Sequence, residues 1–429
     1  MISRFGEDVS IQPAELRGLV FQCLENAGQL KKVLILPPDH TRLNSMAGPI
    51  TEMVYEKLTG EGVQVDILPT LGTHNPMTEA QLRMMFGDSI PLDAFKVHDW
   101  RNEVVRKGVI ASEMLSELSA GKVDYTVGVE VNKMLLEGYD LILSVGQVVP
   151  HEVVGMANYT KNIVVGAGGS DIINKSHFLG AVAGIENILG QTDSPVRSLF
   201  NHAVETFLSD LPIVYLLTVM EQDYDTREMH MRGFYAGAES AVFEEACDLA
   251  RKVNITLLDR EPKKVVVYLD PHEFQSTWLG NKAVYRTRMA IADDGELIVL
   301  APALKEFGED PTIDRMIRKF GYYGTPATLK AVEEDEELRN NLSAAAHLIH
   351  GSSEGRFKIT YCPGEGGVTL DEVRSVGFEA EAYAEMAARY NPETLKDGFN
   401  TLPDGEEIFY ISNPALGLWA YREKFKDSA

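Results

Sequence analysis

The stretch that most limits the possible folds runs from Tyr139 to Gly180. It opens with an apolar run, YDLILSVGQVV (Tyr139–Val149), that breaks at PHEVVG. A run of this kind, rich in β-branched residues and ended by proline, reads as a strand buried on both faces. Strands of that type belong to parallel sheets covered by helices. In open α/β sheets, ligands sit beyond the carboxyl ends of the strands, which is where His151 falls. Lys161 follows, then a second strand-like run, NIVV, a glycine-rich turn, GAGGSD, and His177. Gly166, Gly168 and Gly169 permit positive φ or close approach of backbone to a ligand. The plainer reading is a strand, a turn and a core histidine.

The same pattern occurs twice upstream. Helical spacing over Ala14–Gly28 precedes a strand, Lys32–Pro37, that ends in Asp39, His40, Thr41 and Arg42. Arg42 suits bidentate pairing with a carboxylate or phosphate; alternatively Asp39 caps a turn and Arg42 pairs with it. After a helix over Gly48–Leu58, the run VQVDILP ends in Gly72, Thr73 and His74. Thr78 is the expected N-cap of the next helix. Three strand ends therefore present Asp39 with Arg42, His74, and His151. His98 is a fourth candidate, with Asp99 beside it to orient it. Spacing predicts a helix over Ser176–Leu189 capped by Ser176. His177 would then lie in its first turn, where the helix dipole disfavours imidazolium and leaves the neutral ring that metal ligation requires.

A chain of 429 residues exceeds one ordinary core. The segment RKVNITLLDREPKK marks a junction, after which α/β alternation restarts at KVVVYLD. The expected organisation is α/β throughout. It comprises an N-terminal domain, 1–258, and a C-terminal domain, 259–411, both with mainly parallel sheets, and an active site in the cleft between them. The aromatic tail, 412–429, is expected to pack back onto the first domain. The formal charge of −24 argues against nonspecific nucleic-acid binding, which needs basic patches. Three scattered cysteines give no disulfide framework and no structural zinc site. Neither a secretory leader nor a membrane span is visible, so a cytoplasmic protein is expected, with room for homo-oligomerisation.

Two histidines flanking one carbon would suit a racemase or epimerase, since imidazole titrates near neutral pH. Three could instead hold a catalytic zinc, although no H-x-x-x-H or H-x-E pair occurs. As an ordered set, DHTR (Asp39–Arg42), GTH (Gly72–His74), PHEVVG (Pro150–Gly155), Lys161 and His177 resemble the nickel-dependent lactate racemases and their relatives. The resemblance spans nearly the whole chain.

That resemblance implies a nickel pincer nucleotide, a pyridinium mononucleotide with two sulfur donors and a carbon–nickel bond. Lys161 matches the lysine that binds it covalently as a thioamide. His177 matches the histidine that completes nickel coordination, and His74 and His151 match the catalytic histidines. Asp39 and Thr41 lie along the matching cofactor site, and Arg42 is the expected contact for substrate oxygens. The implied reaction is racemisation or epimerisation of a 2-hydroxy acid by reversible hydride transfer. Cofactor-synthesis and nickel-insertion enzymes are the implied transient partners. The chain departs from the family at the substrate end. Gln275 is kept, but Phe274 replaces a tyrosine and Trp278 a lysine. Lys282 or Arg286 could supply the missing cation if that stretch is helical. The expected substrate is therefore larger or more polar than lactate, such as an aldonate epimerised at C2. The alternatives are a catalytically degenerate member that binds a nucleotide or metal, and a zinc-dependent hydrolase.

Overall fold

The computed structural model describes residues 1–223, 226, 228–415 and 417–425. The chain divides into two compact units. The first contains Met1–Leu179 and Ile188–Asn254; the second contains Gly180–Asn187 and Ile255–Ala429.

The first unit is built on a six-stranded sheet. Its order is Ile2–Phe5, Met229–Gly237, Ile213–Gln222, Leu141–Gln147, Lys32–Leu36 and Gln64–Ile67. The last four strands are mutually parallel and the first two join antiparallel. Every residue of Leu141–Gln147 is buried, as an apolar run in the middle of a parallel sheet requires. Val33, Ile35, Leu143, Val145 and Leu216 pack on one face against Leu16, Val20 and Leu24 of helix Pro13–Asn26 and Ile50 and Val54 of helix Ala47–Gly60. On the other face Ser144 meets the segment that follows Lys161.

Two expectations about that segment are corrected. The run NIVV is not a strand: Asn162–Gly166 forms a π-helical turn, entered from a helical Lys161. The apolar character that suggests a strand instead reflects burial, since every residue from Asn162 to Gly166 is buried. The helix carrying His177 begins at Ser170, not Ser176, and runs to Ala183. Ser176 is interior, its Oγ donating to the Ile173 carbonyl (3.1 Å). His177 lies two turns in, and the dipole of the first turn does not set its state.

The second unit holds another six-stranded sheet, ordered Glu379–Ala380, Lys358–Pro363, Glu296–Ala301, Lys264–Tyr268, Glu407–Ile411 and Gly398–Thr401. All its pairings are parallel except the last. The tail strand Leu418–Tyr421 lies parallel to Ile255–Leu258, and both segments belong to this unit. No helix among the described residues is long and apolar enough to cross a membrane.

Candidate active site

The carboxyl ends of the parallel strands of the first unit carry the polar groups singled out in the sequence. Beyond Lys32–Leu36, Asp39 caps a short 3-10 helix, His40–Ser45. Its Oδ1 accepts from the Thr41 amide (3.1 Å) and hydroxyl (2.5 Å). Its Oδ2 lies 2.5 Å from His74 Nδ1, so the aspartate pairs with His74 and not with Arg42. Asp39 is buried and the His74 side chain is half-exposed. Burial alone would raise the Asp39 carboxyl. The hydrogen bonds from His74 and Thr41 and the charges of His74 and His40 outweigh it and hold the carboxyl well below the usual carboxylate range. A carboxylate accepting at Nδ1 fixes the proton there, which leaves the His74 Nε2 lone pair directed outward.

His151 is arranged in the opposite sense. It is buried, and its Nδ1 accepts from the Val153 amide at 3.1 Å. The neutral ring then carries its proton on Nε2. Burial holds His151 well below the ordinary histidine value against the pull of Glu152, and the charges of Lys161, Arg42 and His177 add to the depression. That Lys161, Arg42 and His177 all act on His151 shows that the strand ends and the following helix bring these groups together. The Arg42 amide donates to the Asp39 carbonyl (3.1 Å), but its guanidinium makes no hydrogen bond or ion pair among the described residues.

Lys161 is pushed down to about 8, first by burial and then by the charge of Arg42, with Arg197 adding to it. Among the described residues its amine has no hydrogen bond or ion pair. His177 is pushed down to about 4 by burial and by Lys161. Its Nδ1 lies 2.6 Å from the Ile173 carbonyl, one turn earlier, so Nδ1 donates and Nε2 keeps a free lone pair. A histidine tied at one nitrogen to a carbonyl is the usual form of a metal ligand. Among the described residues no three His, Cys, Asp or Glu side chains gather as a metal-binding group. The structure thus offers one prepared nitrogen and an amine more easily deprotonated than an ordinary lysine. These fit a cofactor that brings its own donors, and they do not fit a zinc held by three protein ligands.

His98 does not join the site. Its Nε2 donates to the Gly168 carbonyl (3.0 Å) and its Nδ1 accepts from Asn132 Nδ2 (3.0 Å). With both nitrogens committed, it supports the glycine-rich turn from beneath. Asp99 does not orient it; its carboxylate accepts from the Arg101 and Asn102 amides. The glycines of that turn are needed for close approach within the protein. A Cβ on Gly168 would sit 1.8 Å from the Val164 carbonyl oxygen, and one on Gly166 would sit 2.7 Å from Thr70 Cβ. Neither residue adopts positive φ.

Sequence reasoning missed the residues that hold Lys161. Asn162 donates from Nδ2 to the Leu36 carbonyl (3.1 Å) and Ser144 Oγ (2.9 Å), and its Oδ1 accepts from Thr70 Oγ1 (2.8 Å). One amide thus ties the ends of three adjacent strands to the residue after the lysine. On the other side, Asn158 and Tyr159 adopt left-handed φ of 69° and 58°, costing on the order of 1–3 kcal/mol each. The sign of Asn162 in the sequence is a lone amide in an apolar run. Arg197 shows itself only as a cation on the apolar stripe of Val196, Leu199, Phe200 and Ala203.

In the second unit, Gln275 is exposed, with its Nε2 on the Pro271 carbonyl (3.2 Å). Phe274 is buried. Trp278 packs its ring on His347, with centroids 4.4 Å apart, and His347 Nε2 lies 2.9 Å from Tyr322 Oη. The stretch is helical over Thr277–Gly280 and Lys282–Tyr285. Arg286 is corrected as a source of substrate-binding charge: it is buried and donates to the Gly417 carbonyl (2.8 Å). Lys282 lies 3.7 Å from Glu273.

Residues 21–187 match the lactate racemase N-terminal domain. The fold is similar to a protein from Thermotoga maritima, with TM-score 0.82 and 22% identity over 98% of this chain and 100% of that one. It is also similar to the lactate racemase apoprotein from Thermoanaerobacterium thermosaccharolyticum, with TM-score 0.69 and 17% identity over 96% and 93%. No curated protein matches the sequence. Residues 21–187 therefore match a lactate racemase N-terminal domain, within a chain whose fold is similar to that of a lactate racemase.

Proposed function

We propose that the protein racemises or epimerises a 2-hydroxy acid, with a nickel pincer nucleotide attached at Lys161 and His177 as the protein ligand to nickel. The observation that carries the reading is the pairing of a half-buried lysine pushed down to about 8, which enlarges its neutral fraction, with a histidine whose Nδ1 is tied off and whose Nε2 is free. A neutral amine is the form able to make a covalent bond, and a neutral imidazole is the form able to bind metal. When bound, the cofactor would supply the site that takes and returns hydride at the substrate carbon.

The chain itself handles the proton and the orientation. His74 Nε2 takes the hydroxyl proton, and the Asp39 carboxylate at Nδ1 stabilises the imidazolium that results. His151, with its proton on Nε2, donates a hydrogen bond to the same substrate oxygen or to the neighbouring carboxylate. Arg42, whose guanidinium makes no hydrogen bond or ion pair among the described residues, is the cation for the substrate carboxylate. Asp39 and Thr41 shape the cofactor's surroundings. Phe274 and Trp278 stand where the resembling racemases have a tyrosine and a lysine, which favours a substrate larger or more polar than lactate, such as an aldonate.

The test uses protein co-produced with the cofactor-making enzymes and a panel of lactate, malate, phenyllactate and gluconate in D2O. Chiral analysis should show inversion of the polyhydroxy acid with the original C2 hydrogen retained. Turnover of lactate alone would reject the substrate class. Deuterium incorporation at C2 would reject hydride transfer in favour of proton abstraction.

A further inference from the structure

The loop before Lys161 is strained, and the structure shows what holds it. Gly155, at φ +89°, lies so close to the chain opposite that a Cβ would sit 2.1 Å from the Gln191 carbonyl oxygen. Ser194, the N-cap of helix Pro195–Phe207, donates from Oγ to the Val154 carbonyl (3.0 Å) and accepts from the Arg197 amide (3.0 Å). The Arg197 side chain then spans the loop. Its Nη2 donates to the carbonyls of Met156 (2.6 Å) and Asn158 (3.2 Å), and its Nη1 donates to Thr160 Oγ1 (2.8 Å). Thr160 passes the contact on to Asn201 Oδ1 (2.8 Å).

Arg197 is buried, and none of the groups it bonds is a carboxylate. Its guanidinium rests 4.3 Å from the Phe243 ring centroid, and Phe243 stacks on Tyr159 at 4.9 Å. A desolvated cation paired only with carbonyls, a hydroxyl and ring faces is a poor way to stabilise a core. It is a good way to fix a backbone whose carbonyls would otherwise point at no donor, because the planar fork reaches several acceptors at set angles. We propose that Arg197 is the positioning residue for Lys161: it clamps Met156–Thr160, with Asn158 and Tyr159 left-handed, so that Lys161 is presented in one orientation for covalent attachment of the cofactor. The attachment half of this inference rests on the function proposed above; the clamp itself does not. The Arg197 charge also helps to push the Lys161 amine down, behind the larger effects of burial and Arg42.

The test compares Arg197→Lys, which keeps charge but loses the fork, with Thr160→Val, which removes the Nη1 acceptor together with the donor to Asn201. Hydrogen exchange of apoprotein is followed for peptides covering residues 156–166 and for the strand Ile213–Gln222. Arg197→Lys should speed exchange at 156–166 at least tenfold while leaving the strand within twofold. Thr160→Val should produce a smaller change confined to the same peptide. After co-production with the cofactor-making enzymes, the fraction of Lys161 carrying an adduct should fall in the same order. Exchange within twofold of the unaltered protein at 156–166, or equal acceleration of loop and strand, would overturn the clamp. If Arg197→Lys does not fold, the Thr160→Val peptide pattern decides by the same criterion. If Lys161 takes no adduct even in the unaltered protein, the proposed function fails while the exchange data still judge the clamp.

Discussion

Replacing Asn162 by alanine should unfasten the site from the sheet, and the cost can be worked from the contacts. The side chain makes three buried hydrogen bonds, to the Leu36 carbonyl, Ser144 Oγ and Thr70 Oγ1. At about 1 kcal/mol each, with a further penalty for partners left buried and unsatisfied, the loss is about 3 kcal/mol. Ser144 and Thr70 can rotate toward other acceptors, and Thr70 Oγ1 already lies 3.0 Å from the Pro37 carbonyl, so the penalty falls mainly on Leu36. In a unit of this size the change lowers Tm by about 6–12 °C. Asn162→Asp separates the hydrogen bonds from packing, because the shape is kept while the donor to Leu36 becomes an acceptor. A carboxyl there is comfortable only when protonated, so its folded-state pKa is raised. Its deficit should therefore be smallest at low pH and grow as pH rises through the unfolded carboxyl range. Urea unfolding followed by tryptophan fluorescence and far-ultraviolet dichroism at several pH values measures both variants. A loss under 1 kcal/mol for Asn162→Ala, or a pH-independent deficit for Asn162→Asp, would refute the reasoning.

Four other outcomes are expected. Asp39→Asn should lower kcat by about 10²–10⁴, the usual worth of an oriented general base, with substrate KM changed far less; adding His74→Asn should cost little more, because the two act as one unit. Amine acylation with mass-spectrometric detection should give Lys161 a labelling midpoint near pH 8, against values above 10 for ordinary lysines; a midpoint above 10 contradicts the site electrostatics. Acid should destabilise the first unit. His151, His98 and His177 are all held below their ordinary value by burial, so the unfolded chain binds more protons. Stability is then full above about pH 6.5 and falls below it by at most about 1.4 kcal/mol per pH unit for each histidine, the share of His177 levelling off near pH 4. Urea midpoints at pH 7.5 and 5 measure this, and equal midpoints would contradict it. Finally, ¹⁵N spectra should show His74 protonated at Nδ1 and neutral His151 at Nε2; the same tautomer in both would remove the asymmetry drawn between them.

Much of the fold was legible because strands buried on both faces announce themselves. Val33–Leu36 is wholly apolar and Leu141–Gln147 mostly so, and the two strands end shortly before Asp39 and His151. The polar residues at strand ends were legible for the same reason: topology gathers them at one edge. What misled was apolar sequence without a unique period. NIVV is equally consistent with a buried strand and a buried helical turn, and only the Asn162 amide distinguishes them, through partners 92 and 126 residues away. Ser176 resembled an N-cap, yet the helix had begun at Ser170, where no side-chain signal stands out. Arg286 offered a cation for the substrate two helical turns beyond Trp278, but it donates to the Gly417 carbonyl, a backbone group that no pattern reveals. Arg197 was silent because its role is to satisfy carbonyls of a loop whose left-handed residues, Asn158 and Tyr159, no propensity would place there.

The central claim is that Lys161 carries the cofactor. Intact mass spectrometry of protein co-produced with the cofactor-making enzymes, followed by peptide mapping and metal analysis, tests it most directly. The account predicts a nucleotide-sized adduct on the peptide containing Lys161, accompanied by nickel that is lost when His177 is replaced. An unmodified Lys161, in protein made under conditions that load a known lactate racemase, would contradict it.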